Sequence, residues 1–142
     1  MTQLVNEIGE LSLTWPEEPK ADTIIEAGHP AVLLGEQILN GVLNGNDPTE
    51  LGDWREAIDE IDLLLAGVVA ARVAATEKVG RLKVEQGISA VDTERERTVI
   101  GRASLAAEVI GAGVRPEVTA LMSALIRAAH SQYNVARRAV ST

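Results

Sequence analysis

Residues 49–86 read TELGDWREAIDEIDLLLAGVVAARVAATEKVGRLKVEQ. No proline interrupts this run, and Gly87 stands just past its end, where helices commonly carry a capping glycine. Leu51, Trp54, Ile58, Ile61, Leu65, Val68, Arg72, Ala75, Val79 and Leu82 recur at spacings that alternate three and four. That alternation is the heptad signature of a helix with one apolar seam. The stretch therefore predicts a single long helix, and Arg72 is the only charged residue on its seam.

Downstream, Thr93-Glu94-Arg95-Glu96 fits a capping box that opens a second helix over 93–110, ended by Gly111 and Gly113. Pro116 opens a third over 116–138. The seam of the third helix is Leu121, Leu125, Ala128, Gln132 and Val135, with Gln132 its only polar member. Upstream, Asn44-Gly45-Asn46-Asp47-Pro48 is a stop and linker, and Trp15-Pro16-Glu17-Glu18-Pro19 is a breaker. Between them Pro30 can start a short helix carrying Val32, Leu33, Leu34, Ile38, Leu39, Val42 and Leu43, although Gly35 and Gly41 weaken it. The expected organisation is an acidic N-terminal extension over 1–48, of unassigned role, and a helical domain over 49–142. The fold class is all-α: three helices, the first very long. At 1.5 Å per residue the first helix would run about 55 Å, against about 30 Å for a small domain. Two shorter helices cannot cover that seam. The expected solution is an intertwined homodimer in which the long helices pack together.

The formal net charge is -8, and the chain has two Trp, one Tyr and no Phe. A nucleic-acid binder needs a basic footprint, and single-strand binders add stacking aromatics, so no nucleic acid is expected as a partner. The charge is uneven: residues 1–48 hold eight acids and one base, Lys20, whereas the remainder is nearly balanced. Cysteine is absent, which removes disulfides and thiolate metal sites and fits a cytoplasmic location. The first residues lack a basic and apolar secretory signal, and no run approaches the roughly 20 apolar residues of a membrane span. No membrane partner is expected.

Several polar residues interrupt apolar faces. Arg72 on its seam needs a counter-charge, since an unpaired buried charge is costly. An acid such as Asp59 or Glu77, a partner-chain carboxylate, or a bound anion would each serve. Lys83 lies eleven residues on, almost three full turns and about 16 Å away on the same face, so both side chains can converge on one small anion. Arg55 lies seventeen residues before Arg72, about 25 Å along a straight helix, and reaches the same ligand only from the other chain of an antiparallel dimer. Asp92, Arg95 and Glu96 cluster at the start of the second helix, where Asp92 or Thr93 can cap and Glu96 can complete the box. Gln132 is either a ligand-facing donor or a buried polar group paired to backbone. His29 and His130 are lone histidines without an assigned role.

These positions together resemble the all-helical, type II chorismate mutase family. Arg55-Glu56-Ala57-Ile58-Asp59-Glu60-Ile61-Asp62 is similar to its R-x-x-I-x-x-I/L-D opening. Arg72 falls at the family's next arginine, Val79-Gly80-Arg81-Leu82-Lys83 at its V-G-x-x-K, and Asp92-Thr93-Glu94-Arg95-Glu96 at its D-x-x-R-E. Counted without a gap, Gln132 falls at its third-helix glutamine; a shift of one residue would put Tyr133 there. The resemblance spans residues 49–138. The chain has Ala128 where the family often has serine, and residues 1–48 have no counterpart in the minimal domain.

The resemblance implies an intramolecular Claisen rearrangement of chorismate to prephenate, with no cofactor and no metal. Such an enzyme holds the enolpyruvyl group over the ring and stabilises charge growing on the breaking ether oxygen. It implies that Arg72, Arg95 and the partner chain's Arg55 bind the two carboxylates, that Lys83 and Gln132 donate to the ether oxygen, and that Asp92 and Glu96 recognise the ring hydroxyl. Lys83, Gln132 and Arg72 would be the catalytic set. Some members act with partners, so docking to another pathway enzyme is a further expectation. The alternatives are an aminodeoxychorismate mutase, an isochorismate-pyruvate lyase, which typically lacks the acid at Glu96, or a non-catalytic helical dimerisation or regulatory module.

Overall fold

The computed structural model describes residues 28–45, 47–111 and 115–141. Among them every regular element is helical: α1 (Pro30–Leu43), α2 (Leu51–Glu85), α3 (Thr93–Ile110) and α4 (Arg115–Val140). The all-α expectation holds, and the long helix falls within two residues of its expected ends. The acidic stretch before residue 28, with the breaker at Trp15–Pro19, lies outside the described residues. No described helix is long and apolar enough to cross a membrane. The chain forms two compact units, Met1–Ala66 and Gly67–Thr142, which divide within α2.

In the first unit Pro30 occupies the first turn of α1, where its missing N–H costs nothing, and His29 Nδ1 accepts from Ala31 N at 3.2 Å as the cap. Val32 is the buried residue of this helix. At the start of α2, Trp54 Nε1 donates to Pro48 O at 2.9 Å, tying the linker to the first helical turn. Arg55 is exposed.

In the second unit, α2 ends where glycine permits it. Gly87 has φ +67, Ile88 N donates to Lys83 O at 2.8 Å, and Gly87 N donates to Val84 O at 3.2 Å. This pair of bonds is a Schellman cap, which needs a left-handed residue after the helix. Gly111, with φ +89, ends α3 with its own N–H donating to Ala107 O and Glu108 O. Helices α3 and α4 pack together, bridged by Ser104 Oγ and Thr119 Oγ1 at 3.1 Å. Helix α4 also meets α2. Gly80 is buried, and a Cβ there would lie 3.6 Å from the Tyr133 backbone, so α4 crosses close to α2 at this point.

The face of α2 turned into this unit carries Val69, Val73, Thr76, Gly80 and Val84, each buried or half-buried. The heptad seam is largely a different face. Its members Leu51, Ile58 and Leu65 in the first unit and Val68, Val79 and Leu82 in the second are all exposed. On α4, Leu121 and Val135 are likewise exposed. These seams are apolar but find no cover among the described residues.

Candidate active site

A cleft of about 190 Å³ opens in the second unit between α2, the first turn of α3 and the second half of α4. Helix α2 contributes Arg72, Thr76, Val79, Gly80 and Lys83, a single stripe because these positions lie at steps of three, four and multiples of a turn. Asp92, Arg95 and Glu96 enter from the start of α3, while Ala129, His130 and Tyr133 come from α4. Five residues expected at the site, Arg72, Lys83, Asp92, Arg95 and Glu96, are thus brought together by two segments, α2 and the start of α3.

Each group is held locally. Asp92 is the N-cap of α3, its Oδ1 accepting from Arg95 N at 3.0 Å. With Asp92 as cap, Glu96 falls one residue beyond the position from which a capping box can close. The reciprocal box expected at Thr93–Glu96 therefore does not form, and the Glu96 carboxylate crosses to α4 instead. There His130 Nε2 lies 2.5 Å from Glu96 Oε1. Tyr133 spans the back of the cleft and donates from its hydroxyl to Ile88 O at 3.0 Å, pinning the loop between α2 and α3.

Arg72 differs from these groups. Its Nη1 is buried and has no hydrogen-bond partner. Neither Glu77 nor Asp59 satisfies it; Glu77 pairs with Arg81, one turn on. Desolvation by burial, and then repulsion from Arg95, push the Arg72 guanidinium below its usual pKa. Both causes have one remedy, a negative charge delivered into the cleft.

Two expected residues do not line the cleft. Arg55 belongs to the first unit. Gln132 is half-buried beside the cleft, its Nε2 donating to Val73 O at 3.1 Å and its Oε1 accepting from Thr76 Oγ1 at 2.8 Å. Of its two readings, the backbone-paired polar group describes this geometry, and Tyr133, one position on, lines the cleft. Sequence reasoning gave no role to two of the lining residues, Thr76 and His130, and named Tyr133 only as the alternative to Gln132 under a one-residue shift. A signal for His130 was present. Counting the α3 cap from Asp92 leaves Glu96 without a local partner, and a carboxylate on an inward face needs one.

This all-helical unit gathers Arg72, Arg95 and Lys83 with two carboxylates on one small cleft and leaves a buried guanidinium nitrogen unbonded. A family model described as chorismate mutase type II matches residues 54–132, more than half of the chain, and the chain belongs to that family. No curated protein and no solved structure matches it.

Proposed function

We propose that the protein is an active chorismate mutase that converts chorismate to prephenate. The observation that carries this reading is the unpartnered Arg72 Nη1 in a cleft shared with Arg95, Lys83, Asp92 and Glu96. Chorismate is a dicarboxylate with a ring hydroxyl and an ether oxygen, and this set answers each group. Arg72 and Arg95 offer planar forks to carboxylates. Lys83 supplies a mobile positive donor for the ether oxygen as the carbon–oxygen bond breaks and the new carbon–carbon bond forms. Asp92 and Glu96 accept from the ring hydroxyl. The rearrangement is intramolecular, so the site needs neither a nucleophile nor a proton acceptor. Its contributions are orientation and charge stabilisation.

The expected role of Gln132 at the ether oxygen is not carried into this reading, because its amide is committed to Val73 O and Thr76. Lys83 is left as the principal donor. Arg55 enters from a second copy. The uncovered seam residues Leu51, Ile58, Leu65, Val68, Val79 and Leu82 support a homodimer built on the long helices.

The test is to mix the purified protein with chorismate and identify the product by chromatography. Prephenate, lost in the Arg72→Ala variant, is the expected result. Turnover of 4-amino-4-deoxychorismate or isochorismate instead would reassign the chemistry on the same cleft. No turnover of any of the three would leave a helical module without this activity.

A further inference from the structure

His130 has no part in the reading above, yet its Nε2 lies 2.5 Å from Oε1 of Glu96, a residue of the same cleft. Its ring reaches from α4 to α3, across thirty-four positions of sequence. The pairing has a direction. An imidazole nitrogen without its proton would oppose the carboxylate lone pairs, so Nε2 carries hydrogen and donates to Oε1, whether the ring is neutral or charged.

The consequence concerns Arg72. Glu96, Arg72, Arg95 and Lys83 line one small cleft. A carboxylate in the same cleft as the desolvated Arg72 guanidinium is itself a good ligand for it, and a bidentate pair is the strongest arrangement open to the two. Were Glu96 free, it would be the internal anion that satisfies Arg72. It does not do so: Arg72 Nη1 is buried and unbonded while Glu96 is turned to His130. Asp92 is withheld by a different device, as the cap on Arg95 N.

We infer that His130 is a positioning residue that latches Glu96 away from Arg72 and so keeps the anion site open for a dicarboxylate ligand. The nature of that ligand rests on the mutase reading; the latch itself is a property of the unliganded cleft. The groups facing His130 and Glu96 are Arg72 and Lys83 from α2, Asp92 and Arg95 from α3, and Tyr133 from α4.

The experiment compares the full-length wild type, His130→Ala, Glu96→Gln and the His130→Ala/Glu96→Gln double variant, with His130→Gln as the conservative form that keeps a donor at nearly the Nε2 position. Two readouts are taken: KM and kcat for chorismate, and the NMR signals of the Arg72 guanidinium without ligand. In His130→Ala the released Glu96 pairs with Arg72, moving the guanidinium signals, and KM rises about tenfold, the scale of one contact to a charged group. Glutamine cannot neutralise arginine, so the double variant returns KM to within about threefold of Glu96→Gln alone. His130→Gln stays near wild type. A merely structural contact between α3 and α4 predicts the opposite for the double variant, which would bind no better than His130→Ala. That result, or unmoved Arg72 signals in His130→Ala, overturns the latch. If His130→Ala does not fold, His130→Gln against His130→Gln/Glu96→Gln is compared with His130→Leu, whose side chain fills space but cannot donate, and the same loss and rescue are required. If chorismate is not turned over but the Arg72 signals follow the pattern, the mutase reading fails and the latch stands. Turnover without the pattern has the reverse meaning.

Discussion

Arg72 is a residue whose local energetics oppose its function. In the unliganded chain its guanidinium is partly desolvated, faces Arg95 and leaves Nη1 unbonded. An unpaired buried charge costs stability until a counter-charge arrives. Replacing Arg72 with Met should therefore raise the stability of the unliganded protein by about 1 kcal/mol, a few degrees in Tm, while abolishing turnover. Thermal unfolding of the two proteins side by side measures this. The pKa shift is downward from a value far above neutrality, so the group stays charged and the gain should be constant from about pH 5 to 9. Folded-state depression of a base adds stability only as pH climbs towards that pKa, well above this window. Lys83 is the complementary case. It is half-buried on the same stripe, and its ammonium is the donor assigned to the ether oxygen. Lys83→Ala should lower kcat at least about a hundredfold, the usual effect of losing one such donor. Steady-state kinetics on the folded variant decides it, and a near-normal kcat would remove Lys83 from the mechanism.

At the scale of elements, the close crossing of α2 and α4 and the turn after α2 make glycine replacements diverge. A Cβ at Gly80 would sit 3.6 Å from the Tyr133 backbone, an ordinary contact, and the residue lies within a helix. Gly80→Ala should then stabilise the fold by up to about 1 kcal/mol through helix propensity. Gly87 has φ +67, so Gly87→Ala should destabilise by about 1 kcal/mol and loosen Ile88, the anchor of the Tyr133 hydroxyl. Chemical denaturation of both variants checks the opposite signs. These elements also show what the sequence could and could not convey. One end of each of the four described helices was legible, because Pro30, Gly87, Gly111 and Pro116 punctuate the chain by backbone rules that need no tertiary context. The inward face of α4 was not. Leu121, Leu125, Ala128, Gln132 and Val135 form one three-four series, while Met122, Ile126, Ala129 and Tyr133 form another that is half-buried. Periodicity finds such stripes but cannot say which one meets the cleft when the partner helix α2 also has two apolar faces. Gln132 is placed at the site by the ungapped resemblance, which a shift of one residue transfers to Tyr133, and periodicity gives no ground for choosing between them.

The whole molecule must account for apolar seams that nothing among the described residues covers. Leu51, Ile58 and Val68 are more than half exposed along the α2 seam, and Val135 along that of α4. A second copy packing its own long helix against these residues would bury both seams at once, and in an antiparallel arrangement it would carry Arg55 of each chain towards Arg72 of the other. Each site would then be composite, which gives a prediction stricter than a measurement of mass. Arg55→Ala and Arg72→Ala should each be inactive alone. Mixed in equal amounts and allowed to exchange subunits, half of the dimers carry one chain of each kind. In such a hybrid one site has lost both arginines and the other has lost neither. Activity should therefore return to about a quarter of wild type, since one site in two works in one dimer of two. The mixture must be assayed with chorismate before and after exchange. Recovery only after exchange establishes the shared site. Persistent inactivity in a mixture shown to contain hybrids would mean that Arg55 and Arg72 act within the same chain or that Arg55 serves another purpose.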